Sequence, residues 1–327
     1  MKRILVTGGA GYIGSHTAKA LAASGYEPIV LDDFSTGHRW AAKWGQLIGG
    51  GLHDTDLISQ ILKKHDIASI IHFAASLLVG ESMAQPQKYF WNNVVNTLRL
   101  LDAMLQTGVK HIVFSSSAAV FGIPEKVPIP EDHPLRPINP YGETKLMMER
   151  MMHWYGAAYG LRSVALRYFN AAGADPQGEI GEGHDPETHL IPLVIQATLG
   201  QRPYVEVYGT DYPTPDGTAI RDYIHVTDLA EAHVLALRYL MGGGESAVLN
   251  LGTGRGYSVR EVIAAVERCS SGRKVPFRDA PRRQGDPPAL VADPGRAGIV
   301  LGWRPKHSSL DTIVQTAWKW HAAHNHR

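Results

Sequence analysis

Thr7-Gly8-Gly9-Ala10-Gly11-Tyr12-Ile13-Gly14 follows the apolar run Ile4-Leu5-Val6 and leads into the helical stretch Ser15 to Ser24. Gly8, Gly11 and Gly14 have the spacing of a dinucleotide-binding turn, in the strand-then-helix context that such a turn requires. Without side chains the backbone can turn tightly and approach a pyrophosphate at the positive end of the helix. Outward from this turn, short apolar runs bounded by glycine alternate with helical stretches. The runs are Ile29-Val30-Leu31, Ser69 to Ala74, His111 to Ser115 and Val164 to Arg167. Asp56 to Lys64, Tyr89 to Gln106 and Lys145 to Tyr159 read as helices between them. The alternation predicts an α/β fold, a doubly wound parallel sheet of the Rossmann kind with helices on both faces.

Asp32 ends the second strand, eighteen residues after Gly14. A carboxylate there can accept both hydroxyls of an adenosine ribose and repels a 2′-phosphate, which favours NAD over NADP. Asp33 adds a second negative charge. Later, Tyr141-Gly142-Glu143-Thr144-Lys145 puts a phenol and an ammonium on one helix face. The cation is expected to lower the phenol's pKa, from a free value near ~10, so that the tyrosine can act as a base. Ser115-Ser116-Ser117-Ala118-Ala119-Val120-Phe121-Gly122 follows an apolar strand, so its hydroxyls are expected at the carboxyl end of the sheet, where α/β folds bind ligands.

Past Asn170 the texture changes. Ala174 to His189, Tyr212 to Gly217 and Ala280 to Pro288 are polar and rich in glycine or proline, as binding loops are. Val226 to Tyr239 reads as a helix, and Ala247 to Leu251 as a strand that returns to the first sheet. A smaller, discontinuous α+β C-terminal substrate lobe is expected. The boundaries are 1–173 with 226–252 for the cofactor domain and 174–225 with 253–327 for the lobe.

Composition excludes several classes. The 327 residues carry 32 Lys and Arg against 31 Asp and Glu, without a basic run, so neither nucleic acid nor a membrane surface is an expected partner. The single cysteine, Cys269, suits a reducing, cytoplasmic setting. No apolar stretch approaches the ~18 residues of a membrane span, and Met1-Lys2-Arg3 opens no secretory signal. No metal site is expected, and the tail histidines His321, His324 and His326 read as surface residues.

The glycine turn, the serine run and the Tyr141–Lys145 pair together resemble the extended short-chain dehydrogenase/reductase family, from Met1 to about Trp303. The resemblance implies that Ser117, Tyr141 and Lys145 are the catalytic serine, tyrosine and lysine. It implies that NAD is held by Gly8, Gly11, Tyr12, Ile13 and Gly14, by Asp32 and Asp33, and by Leu52 at the adenine. Phe73, Ala74, Ala75, Asn92, Ser115 and Tyr168 complete that set with Tyr141 and Lys145. Further stretches resemble the family's UDP-sugar 4-epimerases: His72 to Ala75 with Val79 to Ser82, Leu166 to Asn170, Arg221 to Val226, Asn250 to Gly254 and Ala280 to Asp286. These imply that Asn170, Arg221 and Arg283 hold the diphosphate and ribose of a UDP-sugar, joined by Ser117, Tyr141, His189, Leu190, Tyr208, Asp286 and Leu290. The reaction implied is interconversion of UDP-glucose and UDP-galactose by transient oxidation at C4, rotation of the 4-keto sugar and re-reduction.

Ala118 and Ala119 narrow the chemistry. Dehydratases of the family place an acid pair after the matching hydroxyl residue, and alanine can neither donate nor accept a proton. Other positions depart from the pattern: Gly51 replaces an adenine-binding aspartate, Leu77 a lysine near the cofactor, and His189 an asparagine at the uridine. Leu290 occupies the position that limits the sugar pocket and is intermediate in size, so a 4-epimerase of UDP-N-acetylglucosamine or a UDP-pentose is the alternative. A sensor that binds NAD without chemistry is the non-enzymatic one. Met147, Met148, Met151, Met152 and Trp154 exceed a narrow apolar stripe, which suggests a homodimer seam beside core burial.

Overall fold

The structure, a computed structural model, describes residues 1–283 and 285–324. Seven parallel strands form one sheet in the spatial order Ala247–Leu251, Arg162–Tyr168, His111–Ser117, Ile67–His72, Arg3–Thr7, Glu27–Asp32 and Gln46–Gly49. The order reverses between Arg3–Thr7 and Ile67–His72, which makes their carboxyl ends the crevice where such sheets bind ligands. The strands are apolar on both faces because helices cover both. One layer buries Leu5, Ile29, Ile70, Ile112 and Phe114 against the helices Thr55–Lys64, Asn96–Thr107 and Pro140–Tyr159. The other buries Ile4, Val6, Ile71, Val113 and Leu166 against the helix Val226–Met241. The strand at 247–251 returns to the sheet beside Arg162–Tyr168, as expected.

Smaller sheets make up the remainder. Asn170–Ala172 pairs with Tyr223–His225, Val205–Tyr208 with Phe277–Ala280, and Ile220–Arg221 lies between Tyr257–Ser258 and Ala289–Leu290. Each joins segments distant in the chain, and a third core built from Ile191, Val207, Val262, Ile313 and Val314 lies among them. Asp222, fully buried, binds these pieces together. Its carboxylate accepts from Thr253 N at 2.9 Å, Thr253 Oγ1 at 2.7 Å, Gly254 N at 3.1 Å and Ala292 N at 3.2 Å.

Two helices differ from their expected form. The stretch expected as one helix from Tyr89 to Gln106 is Pro86–Tyr89, a π-helical turn over Phe90–Val95 and then Asn96–Thr107. The wide turn bonds Asn92 Nδ2 to Ser76 Oγ at 3.0 Å and Asn93 to the backbone of Ser76 through both ends of its amide. Tertiary bonds of this kind are invisible to periodicity. The helix expected from Lys145 begins at Pro140, a residue suited to the first helical position, with Asn139 Oδ1 accepting from Gly142 N at 2.8 Å. Tyr141 therefore sits in its first turn. Within it Met148 and Met152 are core residues, whereas Trp154 is 68% exposed. Among the described residues no helix is long and apolar enough to cross a membrane.

Burial holds four histidines neutral: His16, His225 and His233 are lowered to about 4 and His72 to about 3. The unfolded chain takes up protons at these groups below about 6.5, whereas the folded chain does not, so stability falls as pH drops from about 6.5 toward 4. Thermal unfolding across that range should show a falling Tm; a flat profile would contradict the burial of neutral imidazoles.

Candidate active site

Gly8 has φ of 69°, and a Cβ on it would lie 2.7 Å from Ala74 N, so the turn is pressed against the end of the neighbouring strand. Phe73 N and Ala74 N both donate to Thr7 O, at 2.9 and 3.1 Å. A Cβ on Gly14 would meet Gly9 Cα at 2.8 Å. The helix Tyr12–Ala23 starts at Gly11 with no side-chain cap, which leaves first-turn amides for an anion. Asp32, buried, accepts from Ala10 N and Phe34 N at 2.9 Å each, one bond to each oxygen. Burial pushes its carboxyl up, though the two amides oppose that. The uncapped helix, the glycine cradle and this carboxylate fit NAD. Asp33 is exposed, and its Oδ1 accepts from Ser35 N and Oγ, so it presents a more solvated charge than Asp32. Leu52 is buried, and at Gly51 a Cβ would lie 2.6 Å from His53 Nδ1, which puts an imidazole where relatives were expected to carry a carboxylate.

The sheet's carboxyl end brings Ser117, Tyr141 and Lys145 together. Tyr141 is hydrogen-bonded to Ser117, whose Oγ also accepts from Ala119 N at 3.2 Å. Lys145, 2% exposed, donates from Nζ to Ser115 O at 2.7 Å and lies 5.8 Å from the centre of the Tyr141 ring. The expected lowering of the phenol's pKa is corrected by the structure: burial raises Tyr141, and only the Ser117 bond works against this. The ammonium sits over the ring with a carbonyl for partner, and burial lowers it in turn to about 7, opposed by the charge of Glu149. Ser115 Oγ is bonded to the Tyr168 hydroxyl.

Two residues beneath this site, Glu149 and Asn93, were not singled out from the sequence. Glu149, one helical turn beyond Lys145, accepts from Ser116 Oγ at 2.5 Å and from Arg167 Nε and Nη2 at 2.9 and 2.6 Å. Asn93 Nδ2 donates to Thr144 Oγ1 at 3.0 Å, so the π turn is fastened to the helix that carries Tyr141 and Lys145. The glutamate's spacing from Lys145 was the one available signal; its partners are remote in sequence.

The expected substrate residues fall into two groups. Arg221 forms an ion pair with Asp286 and donates to Pro287 O at 2.9 Å, and Leu290 pairs in register with Arg221. Leu290 also packs against the cluster of Ala118, Val120 and Leu146, directly behind Ser117. Arg283 lies 4.0 Å over the Tyr208 ring, whose hydroxyl is bonded to Glu206. Asn170 begins the short strand beside Tyr223. Gln284, within the quoted Ala280 to Asp286 stretch, and His326 lie outside the described residues. His189, which caps the helix Leu190–Thr198, is not isolated: its Nδ1 is 2.6 Å from Glu182 Oε1 and 3.3 Å from Glu187 Oε1. Burial acts against its charge, but the Glu182 carboxylate outweighs this and pushes the imidazole up to about 10.

Residues 4–252 match the NAD dependent epimerase/dehydratase family. The chain belongs to that family. It is 54% identical over 323 residues to the UDP-glucose 4-epimerase of Halalkalibacterium halodurans, covering 99% of this chain and 96% of that one. The UDP-glucose 4-epimerase of Brucella ovis, solved in complex with NAD, superposes with a TM-score of 0.95 at 53% identity, over 97% of this chain and 98% of that one. The enzyme of that name from Stenotrophomonas maltophila, solved with NAD and formylated UDP-arabinopyranose, gives 0.96 at 39% identity over 99% of each chain. As members of this family are, the chain is NAD-dependent. Because Asp32 would face a 2′-phosphate with a like charge, titration should show NAD binding about tenfold or more tighter than NADP. Equal or tighter binding of NADP would overturn the role of Asp32.

Proposed function

We propose that the chain is a UDP-glucose 4-epimerase, an isomerase that interconverts UDP-glucose and UDP-galactose through a transient 4-keto sugar. The observation that carries this reading is the meeting of Ser117, Tyr141 and Lys145 at the carboxyl end of the sheet, beside the glycine cradle, with Ala118 and Ala119 next in the chain. Bound NAD supplies a hydride acceptor and donor at C4, with no net redox change. Tyr141 takes the proton of the 4-hydroxyl and later returns it. Ser117 is already bonded to that phenol and aligns the sugar hydroxyl or relays its proton. Lys145, held by Ser115 O, contributes positive charge at the ring and a donor for a ribose hydroxyl. The raised pKa of Tyr141 means that the phenolate needs a further positive charge, which an oxidised nicotinamide would provide. Ala118 and Ala119 offer no acid or base for loss of water, so the keto sugar can only turn and be reduced again.

We assign residues 174–225 and 253–327 to the UDP-sugar, with the paired Arg221 and Asp286 and the stacked Arg283 and Tyr208 at the diphosphate and ribose. Arginine forks suit phosphate oxygens, and Asp286 would release the Arg221 guanidinium as substrate arrives. Asn170, His189 and Leu190 complete the nucleotide contacts. Residues 1–173 with 226–252 are assigned to the cofactor. We also assign a homodimer seam to the exposed Trp91, Leu98 and Trp154, which lie on the helical faces that continue past the core, and a cytoplasmic setting.

Tyr141→Phe should lower turnover of UDP-glucose by about 10²-fold or more while leaving NAD and UDP affinities nearly unchanged. Wild-type turnover in that variant would refute the proton-transfer role. With a panel of UDP-sugars, UDP-glucose and UDP-galactose should have the highest kcat/KM. A preference of more than about tenfold for UDP-N-acetylglucosamine would reassign the substrate, since a pocket such as that beside Leu290 discriminates by only ~1–3 kcal/mol.

A further inference from the structure

Glu182, His184, Glu187 and His189 lie in one irregular segment, and one ligand atom from each falls within 4.8 Å of all the others. We propose that these four residues bind a divalent metal ion of the zinc class.

The donor set is the first argument. Two imidazoles with two carboxylates suit Zn²⁺ or Co²⁺ in a four-coordinate site, whereas Mg²⁺ and Ca²⁺ favour oxygen alone. Direction is the second. Glu182 Oε1 stands 2.9 Å from His184 Nδ1 and 2.6 Å from His189 Nδ1, and Glu187 Oε1 adds a second carboxylate 3.3 Å from His189 Nδ1. His189 Nδ1 is shut off from solvent but makes no hydrogen bond of proper angle. A single N–H cannot point at two carboxylates, whereas a cation at the centre of the four atoms needs no such direction.

The surroundings hold the ligands in place. Glu187 Oε1 accepts from Thr188 N at 2.7 Å and His189 N at 2.8 Å, which keeps that carboxylate turned inward. Trp320 Nε1 donates to Glu182 O at 2.8 Å, the edge of the Tyr12 ring meets His184, and His38 Nε2 is 2.5 Å from Gly183 O. These contacts fix the backbone and the ring that present the ligands, which limits how far the four atoms can spread. Glu182 is 2% exposed and turns one oxygen, Oε1, to both His184 and His189, so both imidazoles converge on a single buried carboxylate. The ion would tie the segment before Leu190 to Tyr12, the first residue of the cofactor helix, and so join the two halves of the site.

The full-length protein, stripped with a chelator, would be titrated with Co²⁺ and then Zn²⁺. The expected result is one equivalent of Co²⁺ with the visible absorption of a tetrahedral nitrogen and oxygen site, displaced by Zn²⁺, and a Tm that rises with metal concentration. His184→Ala and Glu187→Gln should each weaken binding about tenfold or more, while a tail variant, His326→Ala, should bind as the parent does. Circular dichroism and NAD binding check folding, and if His184→Ala does not fold, the isosteric Glu187→Gln decides. The proposal is overturned by absence of saturable binding, by unchanged affinity in Glu187→Gln, or by loss of binding in the tail variant.

Discussion

Lys145 is an amine taken almost wholly out of water, and the carboxyl end of the sheet is arranged around the cost of charging it. A buried cation must be bonded and opposed by charge or it loses its proton. Here it has one carbonyl, Ser115 O, and the field of Glu149, and the balance leaves it lowered to about 7. Glu149 is itself tied to Arg167 and Ser116, so the ion pair supporting the lysine is anchored in two neighbouring strands and the helix together. The helix Pro140–Tyr159 is thereby fixed against the strands that carry Ser117 and Tyr168. Tyr141, bonded to Ser117, inherits its position from that docking.

The same constraint explains why the site is poised and not already ionised. Burial opposes both phenolate and ammonium, so neither charge is free in the protein alone. A positively charged ring bound beside Tyr141 would change the balance for the phenol, and a reduced, neutral ring would restore it. Proton affinity at Tyr141 and the redox state of the cofactor would then move together. A proton removed from the 4-hydroxyl would be held only while the hydride is held, which suits a reaction whose two halves are mirror images.

The central sheet was legible because its signal is local. Each strand is a short apolar run, each helix has its own period, and Gly8, Gly11 and Gly14 announce their turn by spacing alone. The meeting of Ser117, Tyr141 and Lys145 was legible for the same reason, together with the family resemblance. The π turn at Phe90–Val95, the bonds to Asp222 and the support of Lys145 by Glu149 were not. They depend on partners brought near by the fold: Ser76 and Thr144 for Asn93, Ala292 for Asp222, Ser116 and Arg167 for Glu149. The pKa of Tyr141 was misjudged on similar grounds, since i to i+4 spacing gives proximity to Lys145 but says nothing of how deeply both groups are buried.

The segment from Glu182 to His189 lies where these two kinds of information meet. In sequence it is an irregular stretch ahead of Leu190; in the fold it touches Tyr12 and His38 on one side and leads into the helix Leu190–Thr198 on the other. Trp320 holds Glu182 O and stacks with His324, and Trp40 lies against both His38 and Trp320. An aromatic and histidine-rich strap therefore runs from the loop after Asp32 to the C-terminal helix through this segment. Because the strap touches the loop after Asp32 and the start of the helix at Leu190 at once, a ligand that ordered one end would lower the cost of ordering the other. Coupling of this kind would act beside the direct contact that hydride transfer at C4 requires, and would reside in residues that take no part in the proton transfer.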